Sequence, residues 1–155
     1  MELMDIYIIN WYTNKWNLTN FIVTTTTKQN HALQNAEGHI ESIVDDFKKD
    51  QQLQESNDYN QQDELRESIL NIALSVEFRS GWSTNPEELE IEEFKILLTW
   101  GGPALRVIGD LDQYKQPENI KMQFQDWGTS WTDYELTEKQ EESLNWFCNC
   151  FYFGD

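Results

Sequence analysis

From Phe94 to Trp131 the chain alternates apolar and polar residues in three successive runs. Phe94, Ile96, Leu98 and Trp100 share one side of a period-two pattern. Leu105, Val107 and Leu111 do so in the next run, with Gly109 between them. In the third run Ile120, Met122 and Phe124 take one face while Lys121, Gln123 and Gln125 take the other. Alternation of this kind predicts antiparallel strands with one buried face. Gly101-Gly102-Pro103 separates the first two runs and Gln116-Pro117 lies in the excursion before the third, so the strands are expected to form a meander.

Elsewhere the period changes. Residues 4–26 hold two β-branched and aromatic runs, MDIYIINW and LTNFIVTTTT, separated by Thr13-Asn14-Lys15, which reads as a hairpin. Over 29–54, Leu33, Ala36, Ile40, Ile43, Val44 and Phe47 recur at three and four, one apolar stripe on an acidic helix, with Gly38 inside it as a candidate bend. The Gln/Asn-rich segment 51–62 reads as a linker loop. Leu65, Ile69, Leu70 and Ala73 predict a short helix over 63–73, and Val76-Glu77-Phe78-Arg79 turns extended. Near the C-terminus, Thr137 with Gln140 is a capping box opening a helix over 138–151, with Leu144, Phe147 and Phe151 as its buried stripe. The expected fold is α+β: an antiparallel sheet of four to six strands with helices packed on one face. Residues 1–155 read as a single domain, a hairpin and acidic helix (1–62) followed by the sheet and C-terminal helix (63–155).

Charge alters the picture most. The chain carries 28 acidic against 11 basic residues, a formal net charge of -17, and residues 1–34 contribute none of the excess. Such a surface repels nucleic acid and anionic membrane and attracts cations or a basic protein surface. Five glutamates, Glu87, Glu88, Glu90, Glu92 and Glu93, lie within seven residues, and Asp45, Asp46 and Asp50 add a second acidic group on the first helix. No apolar run approaches the roughly 18 residues of a membrane span, and MELMDIYI has no basic leader region, so the expected setting is cytoplasmic.

The search for chemistry finds little that converges. Glu93-Phe94-Lys95 with Asp110, Asp112 and Asp126 would suit a metal-dependent hydrolase, yet with this many acids such sets arise by chance. His31 and His39 are eight apart and read as surface or cap residues; Cys148 and Cys150 alone do not complete a metal site. No GxSxG, GxxxxGK[ST] or GxGxxG occurs, so no enzyme, catalytic residue, metal or cofactor is expected. Trp82, Trp100, Trp127 and Trp131 all fall at strand ends beside Gly, Ser or Thr. There they either roof the core or form an exposed binding surface, and Trp82, Trp127 and Trp131 together would suit a carbohydrate- or peptide-binding module.

Arg79-Ser80-Gly81-Trp82, the run Glu92 to Leu111, Gln125-Asp126-Trp127-Gly128-Thr129 and Phe151-Tyr152-Phe153-Gly154 together resemble a family of small acidic bacteriophage and prophage proteins, over residues 74–155. The resemblance implies a mobile-element origin and a place in the host cell cytoplasm; it assigns no catalytic residue and does not extend to residues 1–73. By analogy, the expectation is an inhibitor of host defence that binds a basic nucleic-acid-handling protein, such as a CRISPR effector or a restriction enzyme, and not nucleic acid itself. Glu87, Glu88, Glu90, Glu92, Glu93, Asp45, Asp46 and Asp50 would displace phosphates, with Trp82 or Trp127 as an apolar anchor.

Overall fold

The structure is a computed structural model that describes residues 31–85, 87 and 89–154. The hairpin expected over 4–26 lies outside these residues. The first described element, helix α1, covers 31–56. Ala32, Ala36, Ile40, Ile43 and Val44 form its buried stripe. The helix runs without a break through Gly38.

The polar stretch 51–62 is not a linker. Gln51, Gln52 and Gln54 are exposed helical positions that only lengthen α1, and Leu53 continues the stripe onto the core. The helix ends in a left-handed residue, Asn57 (φ 55°), with Asn57 N–H donating to Gln54 O at 3.1 Å and Asp58 N–H to Leu53 O at 3.0 Å. That pair of bonds satisfies the last carbonyls of a helix. Asp58 then caps helix α2, Tyr59–Leu70, accepting from Gln61 N–H at 3.2 Å. Glutamine is a good helix former, and low hydrophobicity here marks a solvated helix end, not a loop.

Five strands follow in a simple antiparallel meander: β1 Ser75–Ser80, β2 Ile91–Thr99, β3 Ala104–Leu111, β4 Pro117–Gln125 and β5 Thr132–Asp133. β2, β3 and β4 match the three alternating runs, and β1 covers the segment 76–79 expected to be extended. Phe94, Ile96, Leu98, Leu105, Val107, Met122 and Phe124 are buried on one face. Trp100, expected to extend that face, follows the end of β2 and is 78% exposed. Gly109 sits opposite Phe94, and a Cβ there would lie 2.7 Å from the Phe94 ring and 2.8 Å from Glu118 O, so only glycine lets the ring lie flat on β3.

Helix α3, Glu138–Asn149, opens with the capping box: Gln140 N–H donates to Thr137 Oγ1 at 3.4 Å, and Thr137 N–H to Gln140 Oε1 at 2.9 Å. Leu144, Phe147 and Cys148 pack on the sheet and α1 in a single core. Beyond the helix, Phe153 returns to β2 with its ring 4.6 Å from that of Phe94. Along the seam of α1 and α3, Gln140 contacts Glu41, while Phe47 and Asp50 both contact Trp146, so the two helices run side by side in the same direction. The other face of the sheet has no described layer over it. No described helix is long and apolar enough to cross a membrane.

Candidate interaction surface

The strand register divides the charges. On the open face, Glu77 pairs across to Lys95, and Arg79 to Glu93, which in turn faces Asp110; Arg106 lies opposite Gln123 and Gln123 opposite Asp133, beside Lys121. The side chains follow the register. Lys95 Nζ is 2.7 Å from Glu77 Oε2, Lys121 Nζ is 3.5 Å from Asp133 Oδ2, and Arg79 holds the Glu93 carboxylate. Arg106 donates to Gln123 Oε1 at 2.9 Å and stacks 4.0 Å over the Trp131 ring. Four acids, Glu77, Glu93, Asp110 and Asp133, and four bases, Arg79, Lys95, Arg106 and Lys121, therefore interleave along these strands.

The helix-bearing segments 31–74 and 135–150 hold fourteen acidic residues against four basic ones, Lys48, Lys49, Arg66 and Lys139. Glu37, Glu41 and Asp45 are exposed at every fourth position of α1, which places successive carboxylates about 6 Å apart along one line. Gln140 Nε2 reaches Glu41 Oε1 at 3.0 Å, so the first turn of α3, with Glu138 and Glu141, stands next to this row. Acids at a helix N-terminus also suit its dipole. The negative field is felt by Tyr134, whose hydroxyl is pushed above its ordinary pKa first by burial and then by Glu37. Asp45 is held below the usual carboxylate range by its hydrogen bond with Lys48, at 2.6 Å. Asp46, partly buried, is raised by desolvation.

No family model, curated protein or solved structure matches the chain. The site is therefore read from its own geometry. The residues singled out from the sequence do not form one patch. Asp50 leaves the surface: only 6% exposed, it accepts from Gln62 Nε2 at 2.9 Å and from Trp146 Nε1 at 3.2 Å, tying α1 to α2 and α3. Its position, three beyond Phe47 and seven beyond Ile43, is on the buried stripe. Glu93 belongs to the open-face ladder. Glu90 Oε2 lies 3.7 Å from Lys115 Nζ, Glu87 and Glu92 are exposed, and Glu88 is outside the described residues.

The tryptophans are divided too. Trp82 follows β1 at the end where β2 begins, whereas Trp127 follows β4 at the opposite end, next to Gly102. The nine residues of β2 separate these ends by roughly 26 Å, at about 3.3 Å per residue. Trp82 can accompany the glutamate run; Trp127 cannot. A sugar platform of Trp82, Trp127 and Trp131 is excluded by the same separation, and by Trp131 lying under Arg106. Trp127, 70% exposed, and Trp100 instead flank the Gly101-Gly102-Pro103 turn; a Cβ on Gly102 would lie 2.0 Å from the Trp127 ring. Asp126 is buried beneath, accepting from Trp127 N–H at 2.7 Å, at the far end of β4 from Glu93 and Asp110. Glu93 and Asp110 face each other across β2 and β3, but Asp126 does not join them.

The acidic row on α1 escaped the sequence reading, although its signal was present. Glu37, Glu41 and Asp45 repeat at four, out of phase with Ala36, Ile40 and Val44. Cys148 and Cys150 are free; burial raises both thiols, Cys150 to about 11.

Proposed function

We propose that this chain is a binding inhibitor of phage or mobile-element origin that occupies the basic channel of a host nucleic-acid-handling protein, of the CRISPR-effector or restriction-enzyme kind. The observation that supports this reading is the partition of charge. The helix-bearing segments hold fourteen acids against four bases, whereas on the sheet Glu77, Glu93 and Asp133 are each ion-paired. A channel lined with Lys and Arg meets phosphates through a dense array of negative charge. Carboxylates on a rigid helix, spaced a turn apart, offer a similar field with little entropy lost on binding. Glu37, Glu41 and Asp45 form the central row, with Glu138 and Glu141 beside them and Glu87 and Glu92 as a second acidic edge.

The test is retention of host proteins on the immobilised chain at low and high salt, with Glu37, Glu41 and Asp45 changed together to Gln. The expected outcome is a basic nucleic-acid-binding protein held at low salt, released at high salt, and lost from the triple variant. Retention that survives both the substitutions and high salt contradicts the reading. Trp100 and Trp127, exposed together at one sheet end, favour a second reading as a peptide-binding module; in that case a double change of these two to Ala abolishes capture and the glutamine triple does not.

A further inference from the structure

The open edge of the sheet has a symmetry of its own. β1, Ser75–Ser80, bonds to β2 on one side only, and among the described residues nothing pairs with its other side. An unpaired edge is a template for another strand, and natural edges are commonly blunted by Pro, by bulges or by charges that repel a second copy, Lys above all. SVEFRS contains no Pro or Lys, its two charges, Glu77 and Arg79, are opposite in sign, and its bulge between Arg79 and Ser80 lies at its end. Along this edge three large apolar side chains are exposed at intervals of four: Leu74 (61% exposed), Phe78 (46%, its ring edge-on to Phe153) and Trp82 (107%). Phe78 is their midpoint. Glu77 and Arg79, of opposite sign, flank it on the open face.

We infer that β1 is a dimerisation strand, which pairs antiparallel with β1 of a second copy of this chain about a two-fold axis through Phe78. In that register Phe78 faces Phe78 of the second copy, Glu77 faces its Arg79, Val76 its Ser80, and Leu74 approaches its Trp82. Directly opposed residues lie within about 5.5 Å, so each charge meets its opposite, Phe78 meets Phe78 and Leu74 meets Trp82, while Val76 meets the small Ser80. The open-face ladder then continues across the axis: Lys95 and Glu77 of one copy are followed by Arg79 and Glu93 of the other. Such an interface is isologous and closes at two subunits. A second copy is the occupant that fits, because about Phe78 the charges Glu77 and Arg79 complement each other and Leu74 is matched by Trp82. The strand also carries no net charge in a chain of net charge -17, so the copies meet where their mutual repulsion is least.

Sedimentation of the full chain across a concentration series tests the pairing, together with oxidative cross-linking of cysteine substitutions, mapped by mass spectrometry to separate them from Cys148 and Cys150. The wild-type chain is expected to reach twice its 18.5 kDa mass. Phe78→Cys is expected to form a 78–78 interchain disulfide, whereas Val76→Cys, opposed by serine, is not. Phe78→Lys, which sets two ammonium groups face to face, is expected to lose the dimer while keeping its circular dichroism spectrum. A wild-type chain that stays monomeric throughout overturns the inference. So does a dimer in which Val76→Cys cross-links and Phe78→Cys does not.

Discussion

The helical layer and the open face of the sheet solve the same problem, a charged surface over an apolar interior, in opposite ways. On the sheet, the strands bring six charges together in three pairs of opposite sign, so Glu77, Arg79, Glu93, Lys95, Lys121 and Asp133 are spent on one another. On the helices the carboxylates repeat at four with few cations between them, and the field they create extends outward. Composition alone cannot separate these cases. A pairing partner supplied by a neighbouring strand decides whether an acid is silent or available. Net charge is a property of the chain, but the surface a partner meets is a property of the register.

The comparison can be broken first at the core that joins the two layers. Phe147, 1% exposed between α3 and the sheet, should cost about 3–5 kcal/mol when changed to Ala, read as a lowered urea midpoint. Ile108→Ala on the open face should cost clearly less. Next in size is Gly109→Ala, where the added methyl meets both the Phe94 ring and a backbone carbonyl, for an expected loss of about 1–3 kcal/mol. An unchanged midpoint would show that Phe94 does not pack on β3 as described.

Two acids of α1 sharpen the contrast within a single helix. Asp50→Ala leaves Gln62 and Trp146 without their acceptor and should destabilise by about 1–3 kcal/mol. Glu41→Gln, on the exposed row, should stay within about 0.5 kcal/mol. Equal effects in denaturant titrations would mean that both acids sit on the same kind of surface.

A smaller effect comes with pH. Tyr134 holds its proton more tightly in the folded chain than in the unfolded one. Its contribution is complete below the ordinary phenol pKa of about 10 and is lost as pH rises through the folded value. Glu37→Gln should lower the Tyr134 pKa seen by ultraviolet titration, whereas Glu77→Gln, on the sheet, should leave it alone.

Much of this fold was legible in the chain, and most of the failures share a cause. Period-two runs at Phe94, Leu105 and Ile120 located β2, β3 and β4 because one buried face imposes strict alternation. Ala36, Ile40 and Ile43 located α1 for the equivalent reason. Apart from the solvated helix end at 51–56 and the acidic row on α1, what escaped were features that depend on a distant neighbour. Gln62 is buried because Asp50 receives its amide, and β5 exists because Asp133 finds Gln123. The candidate surface was half legible: the acids were visible as residues, but Asp50 and Glu93 were withdrawn by partners twelve and fourteen positions away.

The central claim, that the available negative charge lies on α1 and the start of α3, is tested most directly by amide chemical-shift mapping with a short oligo-arginine peptide at low salt. The account requires shifts concentrated at residues 37–45 and 138–142, fading as salt is added, with β1 to β4 amides near Arg79, Lys95, Arg106 and Lys121 unmoved. Shifts centred on the open face of the sheet, or spread evenly over both layers, would contradict it.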